Sequence, residues 1–257
     1  MLTVISPAKR LDFDPVSLKV PASLPEYQGD AVSLSITARR LSVVKLRKLM
    51  AISQDLAKLN QGRFKAFEVE PVDEITKPAA LAFAGDTYLG LEAGTLEVEE
   101  LAYAQNHLRI LSGLYGLLRP MDRIQPYRLE MGSRLATRRG KNLYQYWGAR
   151  LAENLNSLAT EANAKTLLNC ASVEYFTAVK TDKLAIPVVT PVFLDMQKGE
   201  AKIISFFAKK ARGAMARFAV QNRITEAADL KNFDTGGYVY QPAQSDPMRP
   251  VFLRDET

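Results

Sequence analysis

Short apolar runs, each closed by a turn signal and separated from the next by helical periodicity, constrain this chain more than any other feature. Met1 to Ile5 (MLTVI) is closed by Ser6-Pro7 and reads as a buried first strand. Similar runs predict strands at 81–84, 108–111, 165–170, 188–194 and 202–207, with terminal strands at 238–240 and 251–253. Helical patterns fill 31–40, 43–49, 54–67, 95–107, 143–158 and 208–222. Ser42, Ser53 and Thr95 stand where N-caps are expected. Residues 113–116 are expected to be loop-like, and 127–131 extended. Strands and helices intermix throughout, which predicts an α/β fold of the mixed α+β kind. The expectation is a single domain over 1–257, with a mixed central sheet surrounded by helices.

At 257 residues the chain is long enough for a real core. No apolar run approaches the roughly 18 residues that a membrane helix needs. MLTVISPAKR has no basic region ahead of a hydrophobic one, so no secretory signal is expected. Cys170 is the only cysteine and His107 the only histidine. An intrachain disulfide is therefore impossible, and a reducing cytoplasm is the expected compartment. One His and one Cys cannot build a soft-ligand zinc site and come close to excluding a haem or iron–sulfur site; any metal would have to sit on carboxylates, and neither metal nor cofactor is expected.

The net charge of +6 is unevenly distributed. Residues 39–65 carry eight basic side chains against Asp55 alone, and 68–100 carry nine acids against Lys77 alone. Residues 119–150 hold eight basics and two acids, and 201–225 hold six basics and no acid. Three basic runs point to a shared basic surface and an anionic partner; solvated helix faces are the competing reading.

Several chemistries are absent. There is no G-x-x-x-x-G-K-[ST], no G-x-G-x-x-G after a strand and no G-x-S-x-G elbow. Cys170, in LLNCAS, reads as a small core residue.

Three stretches carry possible function. In Leu46 to Leu59, two short helices flank a tight turn, with Leu46, Leu49, Ile52, Leu56 and Leu59 as the expected apolar scaffold. The arrangement resembles a helix-hairpin-helix, spanning about 43–67, whose usual hairpin is Leu-Pro-Gly-Ile-Gly. Leu49, Met50, Ala51, Ile52 and Ser53 stand there, so both glycines are replaced by small residues. Hairpin amides and a helix N-terminus favour a DNA phosphate, and Lys45, Lys48 and Lys58 would add charge. An ordinary αα-hairpin gives the same pattern. In Phe206 to Ile224, an Ala-rich apolar stripe opposes Lys209, Lys210, Arg212, Arg217 and Arg223, which suits a phosphate-contacting helix or a solvated face. In Ser112 to Gly132, Arg119 and Arg128 sit on proline-stiffened turns. Arg128 could pair with a phosphate while Tyr127 stacks on a base; a structural Arg128–Glu130 pair is the alternative.

Long blocks of the chain resemble the YaaA family of bacterial peroxide stress resistance proteins. They include ISPAKRLDF (5–13), residues 81–94, LSGLYGLLRPMDRIQPYRLEMG (111–132), NLYQYWG (142–148), NCASVEYF (169–176), PVFLD (191–195) and KIISFFAKKARGAMARF (202–218). Cys170 departs from the apolar residue expected between Asn169 and Ala171. The resemblance implies a cytosolic protein that protects cells from hydrogen peroxide and lowers unincorporated iron. It also implies a mixed α/β fold of its own, an embedded helix-hairpin-helix and a basic cleft that binds DNA. The matched polar positions include Lys9, Asp12, Arg119, Tyr127, Arg128, Glu130, Tyr144, Asn169, Ser172, Glu174, Tyr175, Lys180, Lys209, Arg212 and Arg217.

Three functions follow for comparison. The first is a DNA-binding protein of the oxidative stress response, taking duplex or branched DNA with weak sequence preference. Its contacts would come from Lys9, Lys45, Lys48, Ala51, Ser53, Lys58, Arg119, Tyr127, Arg128, Lys209, Lys210, Arg212 and Arg217. The second is an enzyme on DNA, nucleotides or nucleobases in the same cleft, with Glu130, Glu174 and Lys180 as catalytic candidates. The third is iron sequestration, which the residue types disfavour, so any effect on iron is expected to be indirect. No membrane and no stable protein partner are inferred.

Overall fold

In the computed structural model, which describes residues 1–17 and 19–255, the first strand stands in the middle of the main sheet. This strand, β1 (Leu2–Ile5), is buried at every position, Thr3 included, as expected for a largely apolar run in the middle of a mostly parallel sheet. Three helices follow, α1 (Gln28–Arg39), α2 (Val43–Met50) and α3 (Gln54–Lys65), then β2 (Lys77–Pro78), α4 (Ala79–Ala82), α5 (Asp86–Leu91) and α6 (Val98–His107). The middle of the chain supplies β3 (Leu108–Ser112), β4 (Gly116–Leu118), β5 (Arg123–Ile124), α7 (Leu143–Trp147) and α8 (Arg150–Glu161). The remainder is β6 (Leu167–Cys170), α9 (Val173–Phe176), β7 (Val188–Val189), β8 (Val192–Gln197), β9 (Glu200–Lys202), α10 (Ser205–Gln221), β10 (Tyr238–Tyr240) and β11 (Val251–Arg254).

The main sheet runs β4-β3-β1-β6-β7. Leu2 to Ile5 pair in parallel with β6 from Leu167 to Cys170, and Thr3 to Ile5 pair in parallel with β3 from Leu108. Only β4 is antiparallel. A second sheet, β10-β11-β8-β9, has a parallel centre and antiparallel flanks, and β2 pairs with β5. Mixed sheets among helices place the fold in the α/β class, as the sequence pattern predicts.

Helix α10 lies along α5 and over β1 and β6. Two glycines allow that approach: a Cβ at Gly90 would strike the backbone of Lys210, and one at Gly213 the backbone of Thr87. A second anchor is Asp30 in α1, whose carboxylate accepts from Tyr146 Oη at 2.7 Å and from Arg150 Nη1 at 3.0 Å. Burial pushes the Asp30 carboxyl up, but Tyr146, Arg150 and Arg139 together hold it below its ordinary value.

Several expected elements differ. Residues 81–84 are not a strand; Ala79–Ala82 form α4, in keeping with the helix preference of alanine. The predicted strand at 188–194 splits at Thr190-Pro191 into β7 and β8, which join different sheets. Pro191 has no N–H to continue a ladder. The strand expected at 202–207 ends at Lys202, and α10 begins at Ser205. The helix expected over 143–158 breaks at Gly148, whose φ of +57° suits glycine. Gly116, expected in a loop, opens β4 (Gly116–Leu118), and 127–131, expected to be extended, carry no ladder.

Ser42 and Ser53 cap α2 and α3 as expected, accepting from Lys45 N and Leu56 N. Thr95 does not cap α6; Glu97 does, in a reciprocal capping box with Glu100. Ala51 closes α2 in the left-handed region at φ +50°. The expected scaffold needs one correction: Leu56 and Leu59 are exposed, and α3 instead buries Ala57, Asn60 and Phe64. The stripe at i, i+3 and i+7 is the one that packs toward α1 and α2.

Candidate nucleic-acid interface

β1 and β6 run in parallel and end at the same edge of the sheet. From β1 the sheet extends to β3 on one side, and from β6 it extends to β7 on the other. The crevice beyond the carboxyl ends of such diverging strands is where open α/β sheets take ligands. A cleft of about 560 Å³ lies there. The chain leaving β1 contributes Ser6, Lys9 and Arg10, and the chain leaving β6 contributes Ser172, Val173 and Glu174. Lys209 and Arg212 of α10 form the facing wall, near Asp86 and Thr87 of α5.

The floor is hydrogen-bonded across the two strand ends. Ser6 Oγ accepts from Ser172 N at 2.8 Å and donates to Ser172 Oγ at 3.3 Å. Tyr88 Oη donates to Ser6 O at 3.2 Å. Lys9 Nζ lies 2.9 Å from Glu130 Oε2, while Arg128 donates through Nε and Nη2 to Glu130 Oε1 at 3.1 and 2.9 Å. Glu174 Oε1 accepts from Gly132 N at 2.9 Å. The side chains of Arg10, Lys209 and Arg212 make no hydrogen bond or ion pair with the described residues, so three cations face the cleft uncompensated by direct contact.

Val173 and Arg212 also line a second cavity of about 420 Å³, with Asn169, Phe176, Lys180 and Thr190. Lys45 and Lys48 of α2 line a third, of about 580 Å³, opposite Arg134. Gly132 belongs to this third cavity and also binds Glu174, so the two basic regions adjoin there. Ala51, Ser53 and Lys58 are exposed on the adjoining hairpin.

Not every predicted contact residue reaches this region. Tyr127 is buried at 5% exposure, its hydroxyl 2.6 Å from Ser112 Oγ, so its ring cannot stack on a base. Arg128 is held by Glu130 as a structural pair. Arg119 lies in a separate cavity with His107 and Arg109, at the start of β3, the opposite edge of the sheet. Arg217 donates to Leu91 O and Glu92 O at 3.0 Å and to Thr95 Oγ1 at 2.8 Å. Its guanidinium satisfies carbonyls at the end of α5, a role the amphipathic pattern does not encode. Lys210 is exposed but does not line the cleft. The sequence reading missed Ser6, Arg10 and Arg134; Ser6 and Arg10 carry a signal, because they directly follow the first parallel strand.

Cys170 borders the cleft but is 1% exposed, and burial pushes its thiol up to about 12. It stays protonated at neutral pH and is a poor nucleophile toward peroxide. Among the described residues, no three His, Cys, Asp or Glu side chains are placed to hold a metal ion. No helix among them is long and apolar enough to cross a membrane.

A family model described as peroxide stress protein YaaA matches residues 1–244. The chain belongs to the YaaA family. Its relatives include a UPF0246 protein of Jannaschia sp., 60% identical over 256 residues, covering 100% of this chain and 98% of that protein. A UPF0246 protein of Roseobacter denitrificans is 59% identical over 256 residues, covering 99% and 98%. One from Ruegeria pomeroyi is 58% identical over 254 residues, again covering 99% and 98%. The cleft thus belongs to a YaaA-family peroxide stress protein.

Proposed function

We propose that this YaaA-family protein works in the cytoplasm under peroxide stress by binding DNA in the cleft, with the α2–α3 hairpin acting as a helix-hairpin-helix on a neighbouring phosphate. The observation that carries the reading is the wall formed by Arg10, Lys209 and Arg212, whose charges have no partner in direct contact among the described residues. Such cations favour a polyanion, and nothing in their spacing reads base edges, so duplex or branched DNA is bound with little sequence preference. Protection from unincorporated iron then follows from shielding DNA rather than from storing metal.

The test is an electrophoretic shift with duplex and branched DNA at low salt. Lys209→Glu with Arg212→Glu is expected to weaken binding at least about tenfold while leaving the melting temperature near wild type, because Lys209 is exposed and the half-buried Arg212 lines the cleft with no hydrogen bond or ion pair to the described residues. Ala51→Glu is expected to weaken it as well, by placing a carboxylate beside the hairpin phosphate. No shift at low salt with wild-type protein would sink the reading. Wild-type affinity in Ala51→Glu would leave the hairpin a structural element and the cleft as the sole contact.

One observation favours a second reading, an enzyme on nucleotides or nucleobases. Glu174 lines the same cleft as Lys209, Arg212 and the Ser6–Ser172 hydroxyls, and its Oε2 makes no hydrogen bond with the described residues. Incubation with damaged-base duplexes, followed by denaturing electrophoresis and analysis for free base, tests it; unchanged substrate dismisses it.

A further inference from the structure

We propose that the cleft receives one nucleotide swung out of a DNA duplex, and that Val173 fills the gap this leaves in the stack. The proposal rests on the DNA-binding reading above and specifies what enters the site.

Val173 is 84% exposed, more than any other large apolar side chain among the described residues. A lone exposed valine is ordinary; its position is not. It stands between the two cavities of about 560 and 420 Å³, sharing both with Arg212. Lys9, Arg10 and Lys209 lie on one side and Lys180 on the other. A strand that reaches the cations of both cavities has Val173 and Arg212 at the boundary it must cross. Proteins that kink or open DNA insert such knobs between base steps. The backbone behind Val173 is fixed, because Val173 O accepts from Thr177 N at 2.9 Å and from Thr177 Oγ1 at 2.7 Å. The β-branched side chain is itself stiff, so little freedom is lost on insertion.

The cleft beside this knob suits a base better than a phosphate alone. Its volume is within the range of about 300–1,000 Å³ that holds small ligands. Its walls combine two kinds of group. Lys209 and Arg212 match a phosphate, whereas the Glu174 carboxylate repels one. Glu174 Oε1 already accepts from Gly132 N, which leaves Oε2 to accept from an N–H of a base edge. Ser6 and Ser172 supply hydroxyls that can donate or accept. A nucleotide extruded from the stack presents both parts, and its unstacking is offset by these contacts.

The experiment uses the full chain and duplexes carrying 2-aminopurine at a central position, paired or mismatched. Stacking quenches this base, so extrusion raises its emission. At protein concentrations that saturate binding in the gel shift, emission is expected to rise severalfold with wild type, more readily at the mismatch. With Val173→Ala, read at its own saturating concentration, the rise is expected to be largely lost at an unchanged melting temperature. A shift on the gel with unchanged emission in every duplex overturns this proposal and leaves the DNA-binding reading standing. An equal rise in Val173→Ala removes the wedge and overturns it too. No gel shift at low salt overturns both. Micromolar binding of dAMP alone, without a change in duplex emission, assigns the cleft to free nucleotides and also overturns it.

Discussion

His107 is the single histidine, the side-chain type whose ordinary pKa lies nearest neutrality. Its ring stacks on Tyr103 with centroids 3.8 Å apart, and Nδ1 lies 3.0 Å from Tyr103 O. Burial holds its pKa below the ordinary 6.5, with help from the N-terminal amine and Arg109. The unfolded chain therefore takes up the proton first. The stability contributed by neutral His107 is present above about pH 6.5 and is lost as pH falls through the depressed folded value. The melting temperature is expected to drop between pH 6.8 and 5.5, and His107→Gln is expected to flatten that drop. An equally steep profile in the variant would assign it to other groups. Single residues were also where the sequence was least legible. Arg212 and Arg217 look alike on a helical wheel, yet one lines the cleft and the other holds the carbonyl end of α5. That distinction depends on which helix lies opposite, and no periodicity carries it.

Helices α5 and α10 approach backbone to backbone at two glycines, Gly90 and Gly213. Gly213→Ala would place a methyl against the Thr87 carbonyl, so the helices must part. The expected cost is about 3 kcal/mol, typical of overpacking. DNA binding is expected to fall with it, since Lys209 and Arg212 ride on α10. Gly62→Ala in α3 is the control: beyond its chain neighbours and its own helix backbone, no atom lies within 4 Å of the added methyl. There the change is expected to be neutral or to stabilise by up to about 1 kcal/mol. Equal melting temperatures for the two variants would show that the α5–α10 contact tolerates separation. Elements with strong local signals were legible, among them β1, the caps at Ser42 and Ser53, and β11. Helix α5 was not, because six residues with an internal glycine carry too little pattern. The split of β7 from β8 was signalled by Pro191, but which sheet each half joins is a long-range matter.

Across the whole molecule, the three basic runs meet only in part. Lys45 and Lys48 share a cavity with Arg134, and Lys209 and Arg212 share the cleft with Lys9 and Arg10, while Arg139 and Arg150 are held by Asp30. DNA affinity is therefore expected to fall with salt as a few phosphate contacts require. The slope of log K against log salt is expected near −3 to −4, at about −0.9 per contact, and shallower by about 2 in the Lys209→Glu, Arg212→Glu protein. A flat dependence would remove the phosphate contacts from the account. The segregation of charge was legible in the sequence; the pairing of β1 with strands far along the chain was not, and it has a consequence in time. Leu2 pairs with Leu167, and Thr3 with Leu108. At roughly 5–20 residues per second, the ribosome needs about 8 to 33 s between making β1 and making its second neighbour. For the first part of that interval, until β3 is made, this buried strand has no partner in its sheet, and until β6 is made it has a partner on one side only. The floor of the cleft, built from Ser6 and Ser172, cannot exist on a nascent chain until residue 172 has been made, and the wall that α10 adds with Lys209 and Arg212 comes later still.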